Sequence, residues 1–330
     1  MRTFVKDRYG GPEVLRIEEA EPPDPAPDQA LVRVHATSIN AHDWHMLRGK
    51  PYLARLSEGL RRPKQPMLGL DVAGIVEAVG PEVDHLAPGD RVFGSRYGAF
   101  SEVVAGKNMV PIPEGITFEQ AAAVPTAGQT ALVGLRDKGE LQAGQHVLIN
   151  GAGGGVGTFA VQVAKALGAE VTAVTGSRSL ELVRSIGADH VIDHGTDDFT
   201  RDRGRYHLIL DVGGNRSLSS MRRSLRPGGI VVMVAPDPGQ WIGPVLRVAA
   251  AIVSSRLGSK PARAYLTPVS RENLTLLAGM LASGTLKPVI HRTFAFDQIP
   301  DAIRLMESGL AQGKLVVTVA EARSGLAEPA

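Results

Sequence analysis

Residues 151–157, GAGGGVG, carry the clearest chemical signal in the sequence. Five of these seven residues are glycine, and backbone without Cβ atoms turns sharply and lets a ligand reach its amide groups. The spacing Ala152-x-Gly154-x-x-Gly157 is a variant of the pattern that binds a dinucleotide pyrophosphate at a helix N-terminus. We therefore predict pyrophosphate contacts at Ala152, Gly153, Gly154, Gly155, Val156 and Gly157. The alternative is a turn that only packs a helix against a sheet, but three consecutive glycines favour a ligand.

The elements around this turn are those that such a binding site requires. A buried strand at 146–150, a helix that ends before Gly168 and a strand at 170–175 make a strand–helix–strand unit. The alternation continues with predicted strands at 189–193, 206–212 and 229–235 and helices near 179–186 and 216–225. This order predicts the α/β class, with a doubly wound parallel sheet.

The flanking regions have different patterns. Up to about residue 120, short apolar runs separated by Gly and Pro predict a bent antiparallel, barrel-like domain. The C-terminal region predicts a helix at 271–282, a strand at 288–296, a helix at 298–308 and a closing strand at 314–319. The apolar stretch 245–253 is interpreted as a core or interface helix, with a substrate lid as the alternative.

The end of the second strand bears on the choice of cofactor. An acidic residue about 20 positions beyond the glycine turn binds the ribose hydroxyls of NAD, but Gly176-Ser177-Arg178 stands there. Without a carboxylate, Ser177 and Arg178 are free to hydrogen-bond a 2′-phosphate. The sequence therefore favours NADPH; the alternative is that Arg178 only caps a loop in solvent.

Composition excludes several classes of function. The 330 residues suffice for two domains, and a formal charge of +2 makes nucleic acid an unlikely partner. The absence of cysteine removes disulfides and thiolate zinc sites. No apolar run is long enough to span a bilayer, and the N-terminus lacks a signal-peptide core. We expect a cytoplasmic protein without a membrane span.

Several motifs together resemble the medium-chain dehydrogenase/reductases, specifically the zinc-free quinone oxidoreductase branch and its bacterial members similar to the reticulon-interacting mitochondrial reductase. The motifs are SINAHDWHMLRG (38–49), PMLGLDVAGIVEAVG (66–80), PGDRVFG (88–94), GAFSEVV (98–104), AAAVPTAGQTA (121–131), the glycine turn and the segment 287–319. The resemblance implies a GroES-like catalytic domain at 1–122 and 268–330, interrupted by a Rossmann dinucleotide-binding domain at 123–267. It also implies a homodimer.

The resemblance further implies chemistry without a metal. Zinc enzymes of this superfamily use two Cys and one His, where this chain aligns Asn40, Leu70 and Thr126. No metal ligand set is expected, because leucine cannot coordinate zinc and no thiolate is present. His42 and His45 lack a third ligand, and we interpret them as surface residues. Without a Lewis acid, hydride transfer from NADPH to a quinone or an α,β-unsaturated carbonyl is favoured over alcohol oxidation.

The resemblance also assigns site residues. The catalytic candidates are Asn40, Asp43 and Tyr52, with Tyr52 equally well explained as an aromatic residue at the cleft lip. Outside the glycine turn, the candidate cofactor contacts are Asn40, Thr126, Thr130, Ser177, Arg178, His194, Val212, Gly213, Ala235 and Lys314. Two other functions stay open: an enoyl-thioester reductase, and a non-catalytic NADPH-binding scaffold or nucleic-acid-binding protein.

Overall fold

The computed structural model describes residues 1–234, 260–265, 267 and 269–319. The β-strands of this part are β1 (Arg2–Val5), β2 (Arg16–Glu19), β3 (Ala30–Ile39), β4 (Asp71–Val79), β5 (Arg91–Ser95), β6 (Val103–Gly106), β7 (Met109–Pro111), β8 (His146–Asn150), β9 (Glu170–Thr175), β10 (His190–Asp193), β11 (Tyr206–Asp211), β12 (Leu225–Met233), β13 (Ala262–Ala264), β14 (Ile290–Ala295) and β15 (Lys314–Thr318). The α-helices are α1 (Ala41–Arg48), α2 (Arg55–Glu58), α3 (Phe118–Ala122), α4 (Pro125–Leu132), α5 (Gly155–Ala166), α6 (Leu180–Ser185), α7 (Leu218–Ser224), α8 (Arg271–Ala282) and α9 (Ile299–Glu307). None of the described helices is long and apolar enough to cross a bilayer.

Six of the described strands form a parallel sheet in the order β10-β9-β8-β11-β12-β13. Numbered along the chain, this is the order 3-2-1-4-5-6 of a doubly wound dinucleotide fold. All residues of β8 are buried, because helices cover both faces of such a sheet. The carboxyl ends of β8, β9, β10 and β11 therefore meet at one edge, where ligands bind in this class of fold.

The prediction for β12 was wrong at its start, which lies at Leu225 and not at residue 229. Leu225 pairs with Tyr206, and the register shifts before Leu208 pairs with Ile230. The shift accommodates Gly228 in a left-handed conformation, φ +77°, so a turn signal in the sequence lies within a strand. The predicted site residue Ala235 and the predicted helix 245–253 lie outside the described residues.

Seven described strands form a second, mostly antiparallel sheet. Six of them follow the order β14-β15-β3-β4-β5-β7, and the seventh, β6, pairs with β3 outside this order. The C-terminal strand β15 pairs antiparallel with β3. Gly313, just before β15, donates its N–H to Gly153 O at 2.9 Å. Strand β15 therefore joins the antiparallel sheet at a point that also touches the glycine turn.

Helix α8 packs against α4 and against strand β7 of the antiparallel sheet. Its residues Leu274, Leu277 and Leu281 are buried in the same apolar core as the apolar residues of α5. Ser270, which precedes the helix, donates its N–H to Gln129 Oε1 of α4 at 2.8 Å. The same core also contains Phe93 and Val110 of β5 and β7, so α8 contacts both sheets and the predicted domain division at residue 268 stays a prediction.

Candidate functional site

The glycine turn opens onto a cleft of about 660 Å³ at the carboxyl ends of the parallel strands. Gly151 has φ +87°, a conformation that glycine adopts without strain. A Cβ on Gly157 would lie 2.2 Å from Gly151 O, and one on Gly153 would lie 2.5 Å from Thr175 Oγ1. A Cβ on Gly154 would meet only Gly151 O, at 3.6 Å. The turn therefore needs some glycines for packing, whereas Gly154, whose N–H donates to Gly151 O at 3.3 Å, leaves open space on the side that lines the cleft.

One end of the cleft is lined by the residues that follow β9 and β10. Ser177, Arg178 and His194 all line it. Ser177 Oγ donates to Asp193 Oδ2 at 2.6 Å, and this hydrogen bond is the largest cause that lowers the pKa of Asp193. Sequence reasoning missed Asp193, although it pairs with Thr175 in register and ends the neighbouring strand. Counting to the ends of all parallel strands would have found it.

The floor of the cleft is a buried polar network at the ends of β8 and β11. Asp211 is fully buried and accepts hydrogen bonds from Asn150 Nδ2 at 2.7 Å and from Gly214 N at 3.0 Å. The predicted contacts Val212 and Gly213 both donate their N–H groups to Asn150 O, at 2.9 and 3.0 Å. Both residues line the cleft, so their predicted location is consistent with dinucleotide contact.

A second cluster lies at the junction of the two sheets and brings together Asn40, Thr126 and Lys314. Lys314 Nζ donates to Asn40 Oδ1 at 2.6 Å and lies 3.4 Å from Asp71 Oδ2. Asn40 Nδ2 donates to Asp71 Oδ2 at 2.9 Å. Thr126 donates to Asp71 Oδ1 from its backbone N at 2.9 Å and from Oγ1 at 2.6 Å. Three predicted site residues therefore share one buried carboxylate.

That carboxylate, Asp71, was missed by sequence reasoning. It is fully buried at the start of β4, where it also accepts a hydrogen bond from Ser38 Oγ at 2.6 Å. Its contact with the N-terminus of α4 places negative charge where helix N–H groups favour it. An isolated acid within the apolar run PMLGLDVAGIV was the available signal, since buried charges require partners.

The ammonium of Lys314 is unusual because it is 1% exposed. Burial lowers its pKa, and attraction to Asp71 and Asp43 opposes that change. Its side chain also approaches the glycine turn, since a Cβ on Gly155 would lie 3.1 Å from Lys314 Cδ. Lys314 therefore connects the acidic cluster with the mouth of the cleft.

Asp43 is fully buried at the start of α1. Burial raises its pKa to about 7, with a further increase from the negative charge of Asp71. Asp43 Oδ2 accepts the backbone N–H of Asn40 at 2.7 Å, whereas Oδ1 makes no hydrogen bond of normal geometry to the described residues. Asp43 therefore exchanges a proton near neutral pH, beside the Asn40 cluster.

The remaining predicted residues lie elsewhere. The ring of Tyr52 packs against the Arg55 guanidinium, 4.7 Å from its centroid. Thr130, one turn after Thr126 on α4, accepts a hydrogen bond at its carbonyl from Tyr265 Oη at 2.5 Å. Neither contact joins the residue to the Asp71 network.

The interpretation of His42 and His45 as surface residues was wrong, because both are partly buried. Burial lowers the pKa of each imidazole. Within the described ranges, no third ligating side chain joins them. Tyr97, which sequence reasoning did not select, lies with its ring edge-to-face to His42 at 6.1 Å, and burial raises its pKa to about 12.

Two family profiles match the chain. The alcohol dehydrogenase GroES-like domain matches residues 26–128, and the zinc-binding dehydrogenase matches residues 186–317. The chain is 33% identical to the NAD(P)H oxidoreductase RTN4IP1, mitochondrial, of Homo sapiens, over 97% of this chain and 89% of that protein. It is 34% identical to the quinone oxidoreductase of Pseudomonas aeruginosa, over 87% of this chain and 90% of that protein.

Solved structures agree with the predicted fold. The Escherichia coli quinone oxidoreductase complexed with NADPH superposes with a TM-score of 0.82 at 28% identity, covering 97% of this chain and all of that one. The quinone oxidoreductase of Coxiella burnetii gives a TM-score of 0.84 at 28% identity, covering 97% and 99%. The predicted combination of a GroES-like domain and a Rossmann-type sheet is confirmed.

Proposed function

Because the chain is an NAD(P)H-dependent oxidoreductase that belongs to the medium-chain dehydrogenase/reductase family, we propose that it transfers hydride from NADPH to a quinone or an α,β-unsaturated carbonyl compound without zinc. The observation that carries this proposal is the buried cluster of Lys314, Asn40 and Asp71. It stands where related zinc enzymes would hold their metal, according to the alignment of Asn40, Leu70 and Thr126.

Zinc does not fit these residues. Leu70 has no donor atom, and both Asn40 and Thr126 are hydrogen-bonded to Asp71. The Lys314 ammonium already occupies the amide oxygen of Asn40 at 2.6 Å, and a positive charge repels a divalent cation at this distance. We therefore derive no step through a metal.

The cleft fits a dinucleotide. The N-terminus of α5 presents N–H groups to a pyrophosphate, and the open space at the Cβ position of Gly154 lets the ligand approach the turn. Arg178 and Ser177 line the part of the cleft beside β9, where a 2′-phosphate would accept hydrogen bonds. NADPH is preferred because Gly176, which follows β9, carries no carboxylate. Asp193, which accepts the Ser177 hydroxyl at 2.6 Å, is a negative charge on the same rim, and the Arg178 guanidinium lines the same cleft.

When bound, NADPH supplies the hydride. The residues of the second cluster then bind and orient an acceptor that spreads negative charge over an oxygen. The N–H groups of Lys314 and Asn40 donate to Ile39 O, Ser38 O and Asp71 Oδ2. A developing oxyanion would take one of these donors from its present acceptor, in a site shielded from water where such hydrogen bonds are strongest. Asp43, with its pKa near 7, holds a proton at its carboxyl group beside them. We propose Asn40 and Asp43 as the catalytic pair and leave Tyr52 outside it.

The test is an assay of NADPH oxidation against a panel of quinones, enones and enoyl thioesters, with cofactor binding measured in parallel. Turnover of quinones or enones supports the proposal. Turnover confined to enoyl thioesters would assign the alternative reductase activity. Tight NADPH binding with no turnover across the panel would contradict an enzymatic role and assign a scaffold.

A further inference from the structure

At the end of the parallel sheet opposite the cofactor cleft, three side chains with metal-binding atoms meet. They are His146, Glu170 and His190, the first residues of β8, β9 and β10. These strands are neighbours in the sheet, with His146 paired to Glu170 and His190 paired to Thr172. Because side chains alternate along a strand, all three residues point to the same face.

The three ligand atoms are close together. His190 Nε2 lies 2.8 Å from Glu170 Oε1, and His146 Nε2 lies 3.9 Å from the same oxygen. Ligating atoms of all three residues lie within 4.8 Å of one another. Small side-chain rotations bring such atoms to the distances of about 2.0–2.2 Å at which histidine and carboxylate bind zinc.

The surroundings of His146 fix its ring. Its imidazole packs edge-to-face on Tyr206 with centroids 4.9 Å apart. Its Nε2 is 2.8 Å from Thr172 Oγ1, and its backbone N donates to His207 Nδ1 at 3.0 Å. The ring of His146 is therefore held in place, and an ion would replace the contact of its Nε2 with Thr172 Oγ1 and the mutual hydrogen bond of the half-exposed Glu170 and His190.

We propose that His146, Glu170 and His190 bind one divalent transition-metal ion of the zinc type, with water completing the coordination. Two imidazoles and a carboxylate are a common zinc donor set, and an open fourth position suits this solvent-accessible rim. β8 separates His146 from Asn150 in the cleft by roughly 13 Å at 3.3 Å per residue. This site is therefore separate from the cofactor site and from the Asp71 cluster.

Some of the charged groups around the site favour a bound cation, and others oppose it. Glu170 contacts both imidazoles and attracts a cation. The positive charge of Arg205 opposes one, and the pairing of Asp189 with Lys165 at 2.8 Å leaves little net charge nearby.

The metal would fix an edge of the fold. β10 is the outer strand of the parallel sheet, next to β9, and an ion bound to all three strands would hold it in place. Metal binding stabilises only the folded state that brings these residues together. We therefore expect higher thermal stability with the metal and unchanged cofactor binding.

The experiment uses the full chain, stripped with a chelator, dialysed and titrated calorimetrically with zinc chloride at slightly alkaline pH. We expect one ion per chain with micromolar affinity. His190→Ala and Glu170→Gln should each weaken binding by at least about tenfold. His291→Ala, which removes an exposed histidine of β14 in the other sheet, is the matched control and should change nothing.

Two further readouts make the result decisive. Zinc should raise the unfolding temperature of the native chain and of His291→Ala, but not that of His190→Ala. NADPH affinity should be equal in stripped and zinc-loaded protein. Absence of stoichiometric binding would overturn the proposal, as would equal loss in His291→Ala or binding that depends on His42 and His45.

Discussion

Arg178 is the residue on which the choice of cofactor depends. It is exposed at the rim of the cleft, where a guanidinium can form charge-assisted hydrogen bonds with a phosphate. Such bonds are worth about 1.5–3 kcal/mol, so we predict that Arg178→Ala weakens NADPH binding by about 10- to 100-fold and leaves NADH binding unchanged. Titration calorimetry with both cofactors measures this.

A matched control lies close by. Arg184 on α6 is paired with Glu181 on the surface and does not line the cleft. Arg184→Ala should therefore leave both affinities unchanged. Equal losses of NADPH and NADH affinity in Arg178→Ala would show that Arg178 does not recognise the 2′-phosphate.

Asp43 makes stability depend on pH. Its folded-state pKa of about 7 lies above its ordinary value of 3.8, so ionisation costs the folded state free energy as pH rises through this window. The difference between these two pKa values corresponds to about 4 kcal/mol. Asp43→Asn should therefore gain stability relative to the native chain as pH rises, approaching that amount above pH 7.

Denaturant unfolding of both proteins from about pH 4 to about pH 9 measures the difference. If the amide side chain changes stability independently of pH, the whole plot of unfolding free energy against pH is displaced and its slope stays the same. Parallel curves across this range would contradict an Asp43 carboxyl that titrates near neutral pH.

Asp71 organises the second cluster, and its removal leaves the Lys314 ammonium buried without its anionic partner. Loss of one partner of a buried ion pair costs about 3–5 kcal/mol, which we predict for Asp71→Asn by denaturant unfolding. Adding Lys314→Met should recover part of this loss, because the two residues are coupled.

The control variant Asp28→Asn breaks the exposed pair with Lys107 and should cost less than about 1 kcal/mol. Additive losses in the double variant would refute the coupling.

At this scale, the sequence led to Asn40, Thr126 and Lys314 but not to the residue that connects them. Lys314 and Asn40 are 274 positions apart, and no local pattern encodes a contact over that separation. The resemblance to family motifs identified each residue separately, without indicating that they contact one another. The isolated acid in an apolar run marked Asp71 as buried, but its role as the shared partner follows only from the five hydrogen-bonding atoms around its carboxylate.

At the scale of elements, the glycine turn separates ligand binding from packing. Gly154 has φ −86° and open space around its Cβ position, whereas a Cβ on Gly157 would collide with Gly151 O at 2.2 Å. We predict that Gly154→Ala weakens dinucleotide binding by at least about tenfold with little loss of stability, because the methyl group enters the cleft. Gly157→Ala should instead destabilise the fold by about 1–3 kcal/mol.

Gly279 in α8 provides the control, since a Cβ there meets nothing within 4 Å. Gly279→Ala should raise stability by up to about 1 kcal/mol and leave binding unchanged. If Gly154→Ala binds NADPH normally, the turn serves packing alone, which was the alternative that the sequence left open.

Elements were predictable where their periodicity is strong and local. The glycine turn, β8, β9 and α8 follow directly from apolar spacing and Gly signals. The start of β12 was not predictable, because a left-handed Gly228 looks like a loop until its pairing partner Tyr206 is known. The domain boundaries could not be predicted from local sequence either, because only the packing contacts of α8 show which parts of the fold it joins.

At the scale of the whole molecule, β15 unites the two sheets. It completes the antiparallel sheet beside β3 and places Lys314 next to both Asn40 and the glycine turn. The cofactor cleft and the acidic cluster therefore depend on the same C-terminal strand. The expected homodimer stays a prediction, and light scattering of the purified chain would test it.

The most direct test of the account is turnover by metal-free protein. The chain is treated with a chelator, its zinc content is measured by elemental analysis, and NADPH oxidation with a quinone or enone acceptor is compared before and after treatment. We predict unchanged turnover, both in the native chain and in His190→Ala, because Lys314, Asn40 and Asp71 fill the place of a catalytic metal. Loss of activity on chelation that added zinc restores would contradict the account.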